Sequence, residues 1–181
     1  MKQLPMKPPT PPALALVSML GLLAIAPSMK LRSTSFADNS TFARAFVCRQ
    51  MGGENRSPEL QWSAPPAGTR SFALVVHDPD APAPGGWWHW AIYNIPPSAR
   101  GIAMNGAAPG VVAFGSSRER RYNGPCPPPG KLHHYHFTLY ALSVARLGGS
   151  SILDARSVAR LAGERAIARA RLTGLFRNPT P

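Results

Sequence analysis

Three short apolar runs, each bounded by proline or glycine, place the strongest constraint on how this chain folds. They are residues 71–77 (SFALVVH), 87–95 (WWHWAIYNI) and 133–142 (HHYHFTLYAL). All three are rich in β-branched and aromatic residues, and the Pro/Gly-rich stretches beside them are typical of the turns that begin and end strands. The sequence therefore predicts a mainly β domain with three core strands.

The size of the chain is that of one domain. It has 181 residues, 44% of them hydrophobic, which supports a packed core despite 21 prolines and 16 glycines and excludes a wholly disordered chain. The formal net charge of +12 favours an anionic partner: nucleic acid, a phospholipid surface or a phosphorylated small molecule. Charge alone does not choose among these classes.

Two further segments carry weaker signals. Residues 151–172 have apolar positions spaced among Ala and Arg, which predicts one or two short terminal helices. Residues 101–122 show no periodicity and are expected to form a long loop, in which the basic run 118–121 is a solvated face.

The amino end resembles a secretory signal peptide. Lys2 and Lys7 precede the uncharged run 13–26, so we expect residues 1–28 to be removed after Ser28, with Ala37 as a second candidate cleavage site. A flexible segment, 29–39, and the folded domain, 40–178, would follow, and the product would be periplasmic or secreted. The alternative is that Met29 is the true start and that the product is cytoplasmic.

Two cysteines, Cys48 and Cys126, are the only ones in the chain. In an oxidising compartment an even count far apart in sequence predicts one disulfide, and two buried free thiols are the alternative. Neither cysteine has a CxxC companion, so no structural zinc site is expected.

Polar residues concentrate on and beside the predicted strands. All five histidines lie on them, and Asp78 and Asp80 follow the first strand in the motif DPDAP. Strand alternation places His133 and Tyr135 on one face and His134 on the other. Each feature has an ordinary structural explanation, such as an Asp-Pro turn, a histidine bonded to a backbone carbonyl or a solvated edge strand. Together they also suit a small pocket for a phosphoryl group.

The motifs SPELQW (57–62), DPDAP (78–82), GGWWHW (85–90), GPCPPPG (124–130) and HHYHF (133–137) carry a specific resemblance. In this order they resemble the phosphatidylethanolamine-binding protein family, in its bacterial Raf-kinase-inhibitor-like branch, over residues 40–177. The resemblance also covers a helix-then-strand ending. Two departures are the pair Gly163-Glu164, where the family usually has Gly-His, and GSSRERRYNGP, which stands before the Gly-Pro loop in place of a longer segment.

The resemblance implies a β-sandwich with short C-terminal helices and a small anion pocket at one end. It implies no cofactor and no metal. The ligand-binding residues that carry over are Asp78, Asp80, Pro82, Trp87, His89, Gly124, Pro125, His133 and Tyr135.

Three function classes follow. The first is an exported, non-enzymatic protein that binds phosphate or phospholipid head groups, with peripheral membrane contact or a protein partner as further options. The second is a metal- or His/Asp-dependent hydrolase of phosphorylated small molecules, although neither HExxH nor GxSxG is present. The third, nucleic-acid binding, lacks an aromatic-basic face and is not expected. A subsidiary hypothesis is that Arg118, Arg120 and Arg121 attract the anion to the pocket mouth.

Overall fold

The computed structural model describes residues 28–179. In chain order its elements are β1 (Leu31–Arg32), β2 (Ser40–Thr41), β3 (Leu60–Trp62), β4 (Ser71–Asp78), β5 (Trp87–Ile95), β6 (Gly101–Ile102), β7 (Val111–Val112), β8 (Leu132–Leu142), α1 (Ala155–Arg165) and β9 (Ala166–Arg177). Two single 3-10 turns, Arg44–Phe46 and Arg49–Met51, lie between β2 and β3.

Two sheets form the architecture. The small sheet has the order β1-β3-β6, and the large sheet has the order β2-β9-β8-β4-β5-β7. All neighbours are antiparallel except β2 and β9. The predicted runs become β4, β5 and β8, which lie side by side with β4 in the centre. The mainly β prediction is therefore confirmed.

The main core lies between the two sheets. Leu60 and Trp62 of the small sheet belong to the same buried cluster as Phe72, Leu74 and Phe137 of the large sheet. Leu60, Phe72, Leu74 and Phe137 are fully buried, so the apolar face of each sheet is removed from water by the other. This is the predicted sandwich.

The opposite face of the large sheet is covered at one end by α1. Val158 and Ala162 pack into a second cluster with Ala73, Val75 and Ala91. The helix begins at Asp154, whose side chain accepts a hydrogen bond from the Ser157 backbone N–H at 2.8 Å, as an N-cap does.

Residues 151–172 contain one helix, as the sequence predicts, followed by the start of a strand, as the helix-then-strand resemblance implies. One helix forms and ends at Arg165, and β9 follows at once. From Ile167 to Leu172 the burial alternates, with Arg169 and Arg171 exposed and Ala170 and Leu172 buried. This period of two fits a strand, and the abundance of Ala and Arg conceals it because both residues also favour helices.

The expected flexible segment 29–39 is packed instead. Leu31 lies in β1 opposite Trp62, and the Phe36 ring lies 4.8 Å from Phe42 and 5.4 Å from Phe137 between ring centroids. Leu31 and Phe36 are each only 7% exposed. Hydrophobic burial therefore fixes this segment to the sandwich.

Two other expectations concern the loop over residues 101–122 and the amino end of the chain. Residues 101–122 are mostly irregular, as expected, but they contribute β6 and β7 to the edges of the sheets. The predicted signal peptide, residues 1–28, lies almost wholly outside the described residues. Within residues 28–179, no helix has the length and apolar character needed to cross a membrane.

Candidate functional site

A cavity of about 340 Å³ opens where β4 ends and where β5 and β8 begin. Its walls come from three separated stretches of the chain, 48–50, 78–89 and 117–135, which the sheet register and one disulfide bring together. The lining residues are Cys48, Gln50, Asp78, Ala81, Pro82, Trp87, His89, Ser117, Asn123, Gly124, Cys126, Pro127, Pro128, His133 and Tyr135.

Asp78 and His133 form a buried pair in this cavity. His133 Nδ1 lies 2.7 Å from Asp78 Oδ2, and each residue is only 2% exposed. The other carboxylate oxygen, Oδ1, accepts the backbone N–H of Asp80 at 2.9 Å. The carboxylate therefore closes the Asp-Pro turn and holds the His133 ring at the same time.

His89 presents an acceptor to the cavity. Its Nδ1 donates to the backbone carbonyl of Asn123 at 2.7 Å, and burial lowers its pKa to about 4. The ring is therefore neutral at pH 7, and Nε2 carries a lone pair. Within the described part of the chain, this buried Nε2 has no hydrogen-bond partner.

Tyr135 presents the complementary donor. Burial raises the pKa of its phenol, and the Asp78 charge adds to the rise, so the hydroxyl stays protonated. Its Oη is buried and, within residues 28–179, has no partner of hydrogen-bonding geometry. The His89 and Tyr135 rings meet edge to face at 5.0 Å. The cavity thus holds one free acceptor beside one free donor.

The opposite wall is built around Gly124 and the disulfide. The Gly124 N–H donates to Asn55 Oδ1 at 2.7 Å, and a side chain at this position would collide with the Phe46 carbonyl. The disulfide that the sequence predicts joins Cys48 to Cys126 across 78 residues, with Cα atoms 5.5 Å apart. Both cysteines line the cavity.

Seven of the nine predicted ligand residues line this cavity, namely Asp78, Pro82, Trp87, His89, Gly124, His133 and Tyr135. Asp80 and Pro125 do not. Pro125 is buried behind the wall, where its carbonyl accepts the Cys48 N–H at 3.0 Å. Ligand binding by the seven remains a prediction.

Asp80 is held by another set of partners. Its Oδ2 accepts the His134 backbone N–H at 3.0 Å and lies 2.7 Å from His134 Nδ1, while Oδ1 pairs with Lys131 at 3.1 Å. Partial burial acts to raise the pKa of Asp80, but the His134 and Lys131 hydrogen bonds outweigh it and lower the pKa to about 2. Asp80 therefore fastens the DPDAP turn to the start of β8 rather than facing the cavity.

Sequence reasoning missed several lining residues, among them Gln50, Ser117 and Asn123. Asn123 matters most, because its carbonyl fixes the His89 tautomer and its side chain donates to Ser117 Oγ at 2.7 Å. Its place directly before the Gly-Pro loop was the available signal. Gln50 and Ser117 carry no motif that could have identified them.

The remaining histidines lie on the other face of the large sheet. His77 stacks on Trp88 with ring centroids 4.1 Å apart, and His134 lies 6.3 Å from His136. Burial lowers the pKa of His136, and the Arg171 charge lowers it further. Among residues 28–179 no group of three or more His, Cys, Asp or Glu has a metal-holding geometry.

The basic run contributes no arginine to the lining of this cavity. Arg120 and Arg121 line a different cavity, and Arg118 is exposed with φ of 62°. The hypothesis that the three arginines attract the anion to the pocket mouth stays a prediction.

The fold and this end cavity define a small β-sandwich binding domain. The family described as phosphatidylethanolamine-binding protein matches residues 32–177, and the chain belongs to that family.

Individual relatives agree with this membership. UPF0098 protein YbhB of Escherichia coli (strain K12) is 40% identical over 129 residues, 66% of this chain and 81% of that protein. The crystal structure of E. coli YbcL, described as a new member of the mammalian PEBP family, superposes with a TM-score of 0.77 at 30% identity, covering 83% of this chain and 99% of that one. A Mycobacterium tuberculosis (strain H37Rv) relative, LppC, whose name describes it as a candidate lipoprotein, is 37% identical over 176 residues, 92% of this chain and 83% of that protein.

Proposed function

We propose that this chain is an exported, non-enzymatic binding protein whose end cavity takes the phosphoryl group of a small molecule or a phospholipid head group such as phosphoethanolamine. The observation that carries the proposal is that two neighbouring rings, His89 and Tyr135, each hold a buried polar atom, Nε2 and Oη, without a hydrogen-bond partner within residues 28–179. A buried polar group without a partner costs about 1–3 kcal/mol, so a ligand that satisfies both atoms gains that free energy on binding.

The polarity of the two atoms selects the ligand chemistry. Tyr135 donates, so it needs an oxygen acceptor, and neutral His89 accepts at Nε2, so it needs an N–H or O–H donor. A phosphate monoanion offers an oxygen and a P–OH proton. Phosphoethanolamine offers an oxygen and an ammonium N–H, and it belongs to the class of head group in the family's name.

The charge of the cavity favours a ligand of low net charge. No Lys or Arg appears among its described lining residues, and the one carboxylate, Asp78, is paired with His133. A dianionic phosphate would face that carboxylate without any lysine or arginine in the described lining to offset the repulsion. A monoanion or a zwitterion therefore fits better.

Export is the second part of the proposal. It is supported by the signal-peptide pattern over 1–28, by the disulfide Cys48–Cys126, which persists in oxidising compartments, and by the lipoprotein name of one relative.

Calorimetry of the purified chain with phosphoethanolamine, inorganic phosphate and phosphocholine tests the binding site. Phosphocholine has a quaternary nitrogen without N–H, so we expect it to bind at least tenfold more weakly than phosphoethanolamine. We expect Tyr135→Phe and His89→Gln to weaken phosphoethanolamine binding about tenfold or more.

The matched control is His136→Gln on the opposite face of the sheet, which should bind as the parent does. No saturable binding of any probe, or equal binding by the parent and both cavity variants, would refute the proposed function. Release of inorganic phosphate from phosphoethanolamine during the titration would show turnover and contradict the non-enzymatic part.

A further inference from the structure

A second cavity, of about 330 Å³, lies on the other side of the segment that walls the first. Along this segment Ser117, Asn123 and Gly124 line the first cavity, whereas Arg120 and Arg121 line the second. Residues of the 3-10 turn after Cys48 also line both cavities, since Gln50 lines the first and Arg49 lines the second. The two cavities therefore share one wall and differ in their lining.

The lining of the second cavity is strongly basic. Three arginines, Arg49, Arg120 and Arg121, contribute to it, and its described lining includes no carboxylate. The positive charge of Arg121 is partly neutralised by Glu119, whose carboxylate accepts two hydrogen bonds from it at 3.0 and 2.6 Å. Neither Arg49 nor Arg120 forms an ion pair with any residue in 28–179.

Arg120 is already oriented for a ligand. Its Nε donates to the Val112 carbonyl at 2.9 Å, which fixes the plane of the guanidinium and uses the nitrogen nearest the chain. The two terminal nitrogens remain available for a planar pair of oxygens. Less side-chain entropy is then lost when a ligand binds.

Ser57 adds a buried polar group to this cavity. The residue is only 5% exposed, and it lines the cavity. Its backbone carbonyl accepts the N–H of Asn105, which also lines the cavity. The Ser57 hydroxyl can donate a hydrogen bond to an oxyanion bound there.

We propose that this arginine-lined cavity is a second binding site, for a phosphoryl oxyanion with two or more negative charges. Planar guanidinium groups and one hydroxyl match the oxygens of such a group. The arginine charges of this cavity also suit a ligand with two negative charges, which the first cavity, without Lys or Arg in its described lining, does not. The source is either a soluble phosphate compound or the phosphate of an anionic lipid at a membrane surface. The proposal rests on residues outside the first cavity and stands whether or not phosphoethanolamine binds there.

Calorimetry with inorganic pyrophosphate tests the soluble source. Co-sedimentation with vesicles that contain phosphatidic acid, whose phosphomonoester can carry two negative charges, against phosphatidylcholine vesicles, tests the lipid source. The variant Arg49→Gln/Arg120→Gln removes the two arginines without ion pairs. We expect it to weaken binding of the recognised probe about a hundredfold, roughly tenfold for each charge-assisted contact. Ser57→Ala should weaken binding less, by about threefold to tenfold.

Two controls separate a built site from general positive charge. Arg146→Gln/Arg171→Gln removes the same charge from exposed positions outside both cavities and should leave binding within about twofold of the parent. Tyr135→Phe alters only the first cavity and should leave pyrophosphate binding unchanged.

Loss of pyrophosphate or phosphatidic acid binding in the Arg49/Arg120 variant alone supports the second site and names the source. Three results overturn it: no binding of either probe, equal loss in the Arg146/Arg171 control, and loss only in Tyr135→Phe. Failure of phosphoethanolamine to bind the parent bears on the proposed function and leaves this test intact.

Discussion

Asn55 and Gly124 are joined by a hydrogen bond of 2.7 Å that forms part of the wall between the two cavities. Asn55 lines the arginine-rich cavity, and Gly124 lines the cavity of His89 and Tyr135. The Asn55 backbone has φ of 56°, a left-handed conformation that asparagine tolerates better than most residues. One side chain on a turn therefore contributes to both cavities.

Replacing this side chain should disturb the first cavity without touching its lining. In Asn55→Gly the glycine adopts the left-handed backbone conformation without strain, but the buried Gly124 N–H loses its acceptor. We expect this variant to lose about 1–3 kcal/mol in unfolding free energy. Asn55→Asp keeps an acceptor oxygen and serves as the matched control, with the smaller loss. Urea unfolding measures both, and equal losses would show that the hydrogen bond does not matter.

The Asp78–His133 pair should stabilise the folded chain strongly. Asp78→Asn removes the charge from a fully buried pair, and we expect a loss of about 2–4 kcal/mol in unfolding free energy. The control is Asp38→Asn, since exposed Asp38 accepts the Thr173 N–H at 2.8 Å and an amide keeps that oxygen. A double-mutant cycle with His133→Gln checks the pairing, and a coupling energy near zero would contradict it.

His89 should make the protein less stable in mild acid. The unfolded histidine binds a proton below its ordinary pKa of 6.5, whereas burial in the folded chain lowers that pKa to about 4. The unfolded state thus holds more protons between these values, and stability falls as the pH falls through this window, by up to about 3 kcal/mol. Unfolding at pH 7.5 and pH 4.5 should show a smaller acid loss in His89→Gln than in the parent. Equal losses of stability in the parent and in His89→Gln would mean that another titratable group causes the loss in acid.

The disulfide should stabilise the fold and complete the first cavity. It closes a loop of 78 residues, and loop closure of this size contributes about 4 kcal/mol through the lower chain entropy of the unfolded state. Cys48→Ala/Cys126→Ala should lower the unfolding free energy by a comparable amount and weaken phosphoethanolamine binding. Ser143→Ala/Ser150→Ala, at exposed positions, is the control for making two substitutions. Unchanged binding in the cysteine variant would show that the cavity does not need this link.

The packing of the amino-terminal segment distinguishes the two candidate cleavage sites. Cleavage after Ala37 would remove β1 and Phe36 from the core, and losing one buried Phe side chain alone costs about 3–5 kcal/mol. If the chain is exported as proposed, we therefore expect the mature protein to begin at Met29. Intact-mass spectrometry of the periplasmic or secreted product tests this, and a chain that begins at Asp38 would contradict it.

The central part of the fold could be predicted because its signals are local. Val75 and Val76 lie in a continuous apolar run, and Pro and Gly mark where each such run stops. Periodicity alone did not predict β9, which only the family resemblance implied, because Ala168 and Ala170 are small enough to suit either a helix or a strand. Its pairing with β8 decides the outcome, and that pairing is a long-range contact which periodicity does not record.

The candidate site shows the same limit. His133 and Tyr135 could be placed on one face by alternation alone, whereas Asp80 could not be assigned because a carboxylate in an Asp-Pro turn has several possible partners. The orientation of the Asp80 carboxylate is set by His134 and Lys131, which lie more than fifty positions away in the sequence. Distance in sequence also explains why the meeting of Arg49 with Arg120 and Arg121 in one cavity was not visible.

The position of Cys48–Cys126 in the cavity wall has a practical consequence for anyone who prepares this protein. Chains made in a reducing cytoplasm would start without the covalent link, so a purified sample would be a mixture of molecules with and without a finished wall. Titrations of such a mixture would give a binding stoichiometry below one per chain even when every molecule is folded. Counting free thiols beside each titration would convert total protein into the concentration of competent sites.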